Sequence, residues 1–249
     1  GAGAAGAINM WYDRDIDAQM RRTMQRPLPA GRMRPGSALV FGMLMATGSV
    51  LAMGIYVNTV SAALLLATIG YYVFVYTVWL KRITPQNVVI GGVSGALPPV
   101  VGWASVSADI GLGAIALFLI IFLWTPPHSW ALALFRRGDY QAAGVPMLPV
   151  VAGERTTQRQ MIAYTALLLP TSLLPVAIGL SGVLYAGVAV LFGIGFAFYT
   201  VSLWQAGQTP DNTPHTEHPA RRLFFFSIQY LFALYLALLI DQIVFYPLI

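Results

Sequence analysis

The sequence predicts an all-α fold, a polytopic transmembrane helical bundle. Three observations carry that prediction. Hydrophobic residues make up 57% of the 249 positions and charged residues only 9%, against roughly 25% charged in a soluble domain. The run from Pro35 to Leu80 holds no charged residue, about twice the ~20 apolar residues that cross a bilayer core. All 14 lysines and arginines fall into a few short clusters between the apolar runs. A mean hydropathy of +0.70 also excludes disorder, which needs low hydrophobicity and high charge. The chain has no cysteine, which excludes disulfides, a thiolate nucleophile and Cys-ligated metals.

The chain opens on GAGAAGAI, without a methionine. This is neither a signal peptide nor a plausible start, so the true N-terminus is expected upstream. The octapeptide reads as the tail of a helix whose small residues suit close packing in lipid. Spans are predicted at Ala38–Val57 and Thr59–Leu80, divided at Asn58, then at Val88–Ala104, Ile110–Phe135, Met161–Leu180, Val183–Trp204 and Leu223–Ile240. The third is short and carries Gly91, Gly92, Gly95, Pro98 and Pro99. It reads as a broken helix, which is tolerated beside protein or a cavity and equally serves close packing.

With seven alternating spans, every basic residue falls on one side. Arg14, Arg21, Arg22, Arg26, Arg32 and Arg34 precede the first complete span, and Lys81 and Arg82 follow the second. Arg136, Arg137, Arg155 and Arg159 lie between the fourth and fifth, and Arg221 and Arg222 between the sixth and seventh. The opposite loops carry none, so the charged side is expected to be cytoplasmic. A sequence pI near 9.6 therefore marks topology and anionic headgroups rather than nucleic acid. That reading suffices for Arg159, Arg221 and Arg222. It leaves the first loop unexplained, where three aspartates stand among the arginines.

In NMWYDRDIDAQMRRTMQRPLPAGR, Asn9, Asp13 and Asp17 are spaced i, i+4, i+8. On a helix they share one face over about 12 Å, while Asp15 points elsewhere. Like charges at i, i+4 repel, so such a pair suits an intervening cation. Oxygen ligands without His or Cys suit Mg²⁺, which bridges to substrate phosphates, and the arginines downstream suit phosphate oxygens. Spacing alone leaves a second reading open: a solvated juxtamembrane helix with pairs such as Asp17–Arg21. Pro27 and Pro29 are expected to stop the helix.

Four segments carry a family resemblance: the one just quoted, YTVWLKRITPQNVVIGGVSGALPPVVGW, TPPHSWALALFRRGDYQAAGVPMLPVV and ARRLFFFSIQYL. Together and in this order they resemble the UbiA-type intramembrane prenyltransferases over nearly the whole chain, and most closely the heme-farnesylating branch. The resemblance implies that Asn9, Asp13 and Asp17 hold Mg²⁺ on an isoprenoid diphosphate. It implies diphosphate contacts from Arg22, Arg26, Lys81 and Arg82, although a lysine–arginine pair at a span end also serves as a plain anchor.

His128 follows Pro126 and Pro127 and is the only histidine within a span. An ionisable residue there is a functional hypothesis by default. It could instead satisfy a carbonyl that the prolines free. The resemblance places a histidine here in the heme branch, and imidazole is a usual ligand of heme iron. Relatives that prenylate quinone precursors carry a second aspartate motif in the following loop. Here Asp139 is the only acidic residue between Asp109 and Glu154, and Arg136, Arg137, Asp139 and Tyr140 take that motif's place. His215 and His218 flank the region of Glu217. This is not a zinc-binding HExxH arrangement, and a solvated loop is the default, with proximity to a heme propionate a weaker option. Asp241 reads as an interfacial residue at the far end of the last span.

What the resemblance implies is a single prenyltransferase domain over 1–249 with farnesyl diphosphate and heme b as substrates. The allylic carbon would be attacked by a heme vinyl group and water would quench the cation, giving the hydroxyethylfarnesyl product, heme O. It further implies a bacterial inner-membrane location, no nucleic-acid partner, and contact with downstream heme A synthesis or terminal oxidase assembly. The family has nine spans, so the first helix and most of the second, on the order of 40–50 residues, are expected upstream. Two alternatives remain: a related enzyme acting on another aromatic acceptor such as 4-hydroxybenzoate, and a transporter. A transporter should show internal repeats and mid-membrane charges, and the charges here gather at one edge.

Overall fold

A computed structural model describes residues 1–208 and 216–244; His215 of the polar loop lies outside them. The helices are α1 (Ala2–Tyr12), α2 (Arg14–Gln19), α3 (Pro35–Tyr56), α4 (Thr59–Gly70), α5 (Asn87–Ala96), α6 (Pro98–Ser107), α7 (Leu112–Phe135), α8 (Arg137–Ala142), α9 (Leu148–Val151), α10 (Gly153–Thr171), α11 (Leu174–Ala177), α12 (Val183–Ala206) and α13 (Glu217–Val244). A π-helical segment, Tyr71–Trp79, and a 3₁₀ turn, Leu80–Arg82, continue α4. Among the described residues seven stretches are long and apolar enough to cross a membrane, and the protein is an integral membrane protein.

The chain divides into two compact units, Gly1–Gly111 with Arg137–Met147, and Leu112–Arg136 with Leu148–Ile249. In the first, α1 packs on α3 and on the π-helical segment, α4 on α3 and α6, and α5 on the π-helical segment. The predicted break in the third span is real: α5 and α6 meet at Leu97, with Pro98 opening α6. Asn58 divides α3 from α4 and does more than interrupt them. Its Oδ1 accepts the Ser61 N–H at 2.8 Å, capping α4, and its Nδ2 donates to the Ala104 carbonyl at 2.8 Å. One side chain thus satisfies an orphan helix donor and ties the turn to the end of α6.

The outer face of α3 is apolar and exposed, with Leu44 at 68%, Ile55 at 73% and Tyr56 at 84%. In water such a surface would be a liability, and in a bilayer it is the solvated face. The second unit is a ring of four long helices in which α7 packs on α10 and α13, and α12 on α10 and α13. Its core is Trp130, Met161, Leu168, Phe196, Leu203 and Tyr230, all sealed. Edge-to-face contacts link Phe196 to Tyr230 at 5.0 Å and Trp130 to Tyr164 at 5.6 Å.

Three expectations need correction. The aspartate-bearing helix ends at Gln19, where Met20 turns extended, well before Pro27. α10 and α13 begin at Gly153 and Glu217, eight and six residues earlier than predicted. Their charged first turns lie beyond the apolar run, which hydropathy cannot register as helix. Asp241, at the far end of the last span, is sealed rather than facing the interface: it is 1% exposed and accepts the backbone N–H of Gly182, the residue that precedes α12. The carboxylate satisfies an orphan donor and sits at the positive end of the helix dipole.

Candidate active site

The aspartate face forms as the spacing requires. The Asp13 N–H donates to the Asn9 carbonyl at 2.8 Å and the Asp17 N–H to the Asp13 carbonyl at 2.8 Å. These (i, i+4) backbone bonds carry the helical register from α1 into α2. All three side chains are buried, Asn9 at 8%, Asp13 at 0% and Asp17 at 3% exposed. A solvated juxtamembrane helix would leave them in water, so burial decides against that reading.

Buried carboxylates need cationic or hydrogen-bonded partners, and the first unit supplies them. Lys81 Nζ pairs with Asp13 Oδ2, and Asn9 Nδ2 donates to the same oxygen at 2.7 Å. Arg82 approaches Asp13 Oδ1 at 3.5 Å and forks onto both oxygens of Asp15 at 2.8 Å. The guanidinium also lies over the Tyr12 ring, 4.9 Å from its centre. That fork is the main reason the Asp15 carboxyl titrates at about 2, below its ordinary value of 3.8. Asp15 thus shares Arg82 with Asp13. Asp17 pairs with Arg26 at 2.7 Å, not with Arg21. Arg22 is exposed and makes no hydrogen bond or ion pair among the described residues.

The segment that leads to Lys81 and Arg82 has a feature the sequence does not announce. The end of the second span winds as a π-helix over nine residues, a form associated with functional sites. It buries Thr77 completely, and Thr77 Oγ1 accepts from Asn9 Nδ2 at 3.1 Å. Asn9 therefore spends both contacts of its amide nitrogen on Asp13 and Thr77, leaving its carbonyl oxygen as a donor atom for a ligand. Thr23 is a second contributor that sequence reasoning missed. It is buried and donates to the Asp17 carbonyl at 3.0 Å, closing the loop that carries Arg22 and Arg26. Opposite the π-helix, Gly91 has no room for a side chain: a methyl would run into the Tyr76 ring.

Two carboxylates and an amide oxygen form a hard donor set, which fits Mg²⁺. Among the described residues no group of three His, Cys, Asp or Glu forms, so the third oxygen of this set is the Asn9 amide. One turn before Asn9, the same helix lines a cavity of about 420 Å³ with Ala2, Ala5 and Gly6. Its other walls include Leu65, Ile69, Tyr72 and Pro98, and most of the lining is apolar.

The remaining candidates divide between the units. Asp139 and Tyr140 lie on α8 in the first unit, half-buried. His128 and Arg136 belong to the second. Arg136 and Arg221 both lie near the Phe135 ring, at 5.9 and 5.4 Å. His128 does not satisfy a carbonyl freed by Pro126 and Pro127; its Nδ1 meets Ser227 Oγ at 2.7 Å. The ring stacks between Trp124 at 4.2 Å and Phe224 at 4.6 Å.

The family model described as the UbiA prenyltransferase family matches residues 1–228. The chain is 51% identical over 244 residues to a protoheme IX farnesyltransferase of Parvibaculum lavamentivorans, covering 97% of this chain and 75% of that one. It is 53% identical over 244 residues to a protoheme IX farnesyltransferase of Rhizobium rhizogenes, covering 98% and 75%. Among solved structures, a digeranylgeranylglyceryl phosphate synthase aligns with a TM-score of 0.77 at 18% identity, over 97% of this chain and 81% of that one. A UbiA homolog from Archaeoglobus fulgidus bound to DMAPP and Mg²⁺ aligns with a TM-score of 0.61 at 17% identity, over 95% and 83%. At these identities the structures establish the fold, and it is the family match and the half-identical relatives that make this chain a member of the UbiA prenyltransferase family.

Proposed function

We propose that the protein transfers a farnesyl group from farnesyl diphosphate to a vinyl group of heme b, forming heme O and releasing diphosphate. The observation that carries prenyl transfer is the buried Asn9–Asp13–Asp17 face with Lys81, Arg82 and Arg26 bonded around it. The heme acceptor rests on the names of the half-identical relatives. The absence of a second aspartate cluster beside Asp139 supports it.

Asn9, Asp13 and Asp17 would hold Mg²⁺ through oxygen. When bound, the ion neutralises charge that develops on the departing diphosphate. Lys81, Arg82 and Arg26 neutralise the aspartates. With Mg²⁺ held by the aspartates, these three cations and Arg22 would be placed to hold phosphate oxygens. The cavity lined by α1 is apolar and begins one turn from Asn9, which suits an isoprenoid tail whose diphosphate stays at the aspartates. Arg136, Asp139 and Tyr140 complete the proposed substrate contacts, and the His128 imidazole contacts the heme iron. The vinyl group attacks the allylic carbon as its bond to diphosphate breaks. Water then adds to the resulting cation and loses a proton. No covalent enzyme nucleophile is required. We place the protein in the bacterial inner membrane with the basic loops cytoplasmic, on the strength of their one-sided charge.

Asp13→Ala tests the metal face. Farnesyl transfer should fall below detection while ferric heme still binds, read by the Soret band. Turnover within tenfold of the parent would remove Asp13 from the site.

A further inference from the structure

Ser227 stands on α13 and meets two aromatic side chains of α7 at once. Its backbone carbonyl accepts from Trp124 Nε1 at 2.7 Å, and its hydroxyl lies 2.7 Å from His128 Nδ1. The same hydroxyl donates to the Phe224 carbonyl at 2.6 Å. A serine hydroxyl has one proton and two lone pairs. A carbonyl can only accept, so the proton is committed to Phe224. Toward His128 the oxygen can then only accept, and Nδ1 must be the protonated nitrogen. Which nitrogen of a histidine keeps its lone pair is set by the bond the other makes.

That leaves Nε2 with a free lone pair. The hydrogen bond of this ring among the described residues is the one at Nδ1. Trp124 and Phe224 cover the two faces of the ring at interplanar angles of 17° and 24°. A planar macrocycle therefore has no face of this imidazole to stack on. A ligand that reaches Nε2 must therefore come edge-on.

From this geometry we infer that Ser227 is a positioning residue: it fixes His128 as the Nδ1–H tautomer so that Nε2 is presented, lone pair free, to the iron of the heme substrate. Metal-bound histidines usually anchor their second nitrogen in this way. The residue acts only through His128, and the inference rests on the proposed heme-acceptor reading. The tautomer itself does not, so the two can be tested apart.

The first measurement is ¹⁵N NMR of the full-length protein labelled at histidine, in detergent and without heme. The sequence has three histidines, and His128→Ala assigns the signal. The His128 Nε2 should resonate as an unprotonated, pyridine-type nitrogen and Nδ1 as a protonated one. Ser227→Ala should mix the tautomers, and Ser227→Thr, which keeps the hydroxyl, should restore the parent pattern. A protonated Nε2 in the parent, or an unchanged pattern in Ser227→Ala, overturns the inference. The second measurement is a ferric heme titration followed at the Soret band. His128→Ala should lose the imidazole-ligated spectrum. Ser227→Ala should bind about 10- to 100-fold more weakly, with Ser227→Thr within threefold of the parent. A spectrum unchanged in His128→Ala removes the iron contact whatever the NMR shows. Loss in His128→Ala with full affinity in Ser227→Ala leaves the iron contact standing and removes Ser227.

Discussion

Lys81→Met should destabilise the protein far more than its position at a membrane edge suggests. The Asp13 side chain is 0% exposed and that of Lys81 18%. Removing one partner of a buried ion pair strands the other charge, at about 3–5 kcal/mol. Here Asn9 still donates to Asp13 and Arg82 stays 3.5 Å away, so the loss should fall to about 2–3 kcal/mol. For a chain of this size that is about 4–12 °C in melting midpoint. The reverse change is milder. Asp13→Asn leaves an ammonium that already reaches solvent, and about 1 kcal/mol is expected. The double variant Lys81→Met with Asp13→Asn should then be no less stable than Lys81→Met alone, because the stranded carboxylate is gone. Thermal unfolding in detergent, followed by tryptophan fluorescence, reads all four corners of the cycle. A midpoint for Lys81→Met within 1 °C of the parent, or a double variant whose loss equals the sum of the singles, would refute the reasoning.

Further outcomes follow from the same contacts. Gly91→Ala should lower stability by about 1–3 kcal/mol through overpacking on Tyr76, measured by the same melt, and Tyr76→Leu should recover part of it; a neutral Gly91→Ala would show that the two helices are not so tightly packed. Asp241→Leu should cost about 1–3 kcal/mol by orphaning the Gly182 N–H, whereas Asp241→Asn keeps an acceptor and should lose under half as much. Thr77→Val should raise the Mg²⁺ concentration for half-maximal turnover about tenfold by freeing Asn9 to rotate, and an unshifted Mg²⁺ curve would take Thr77 out of the site.

The span pattern was legible because each crossing is a long apolar run and each gap carries either a charge or a turn residue. Asn58 and Pro98 mark their breaks by chemistry alone, since one caps a helix and the other begins one. The aspartate face was legible because helical register is periodic, and (i, i+4) spacing survives the junction between α1 and α2. What spacing could not show is burial. Asp13 and Asp17 read equally well as solvated until Lys81 and Arg26 are seen against them. The π-helix was invisible because Tyr71–Trp79 carries no proline or glycine, and with it the part played by Thr77. Asp241 was misread because a lone acid near a span end gives no sign of the Gly182 N–H it meets 59 residues away in sequence. Ser227 was beyond reach for the same reason: its partner His128 is 99 residues distant.

Prenyl transfer to heme is tested most directly by product identity. The full-length protein in detergent is incubated with Mg²⁺, farnesyl diphosphate and either heme b or 4-hydroxybenzoate, and the products are read by mass spectrometry. The account predicts hydroxyethylfarnesyl heme from the first mixture and no prenylated product from the second. Farnesylated 4-hydroxybenzoate with unmodified heme b would contradict it.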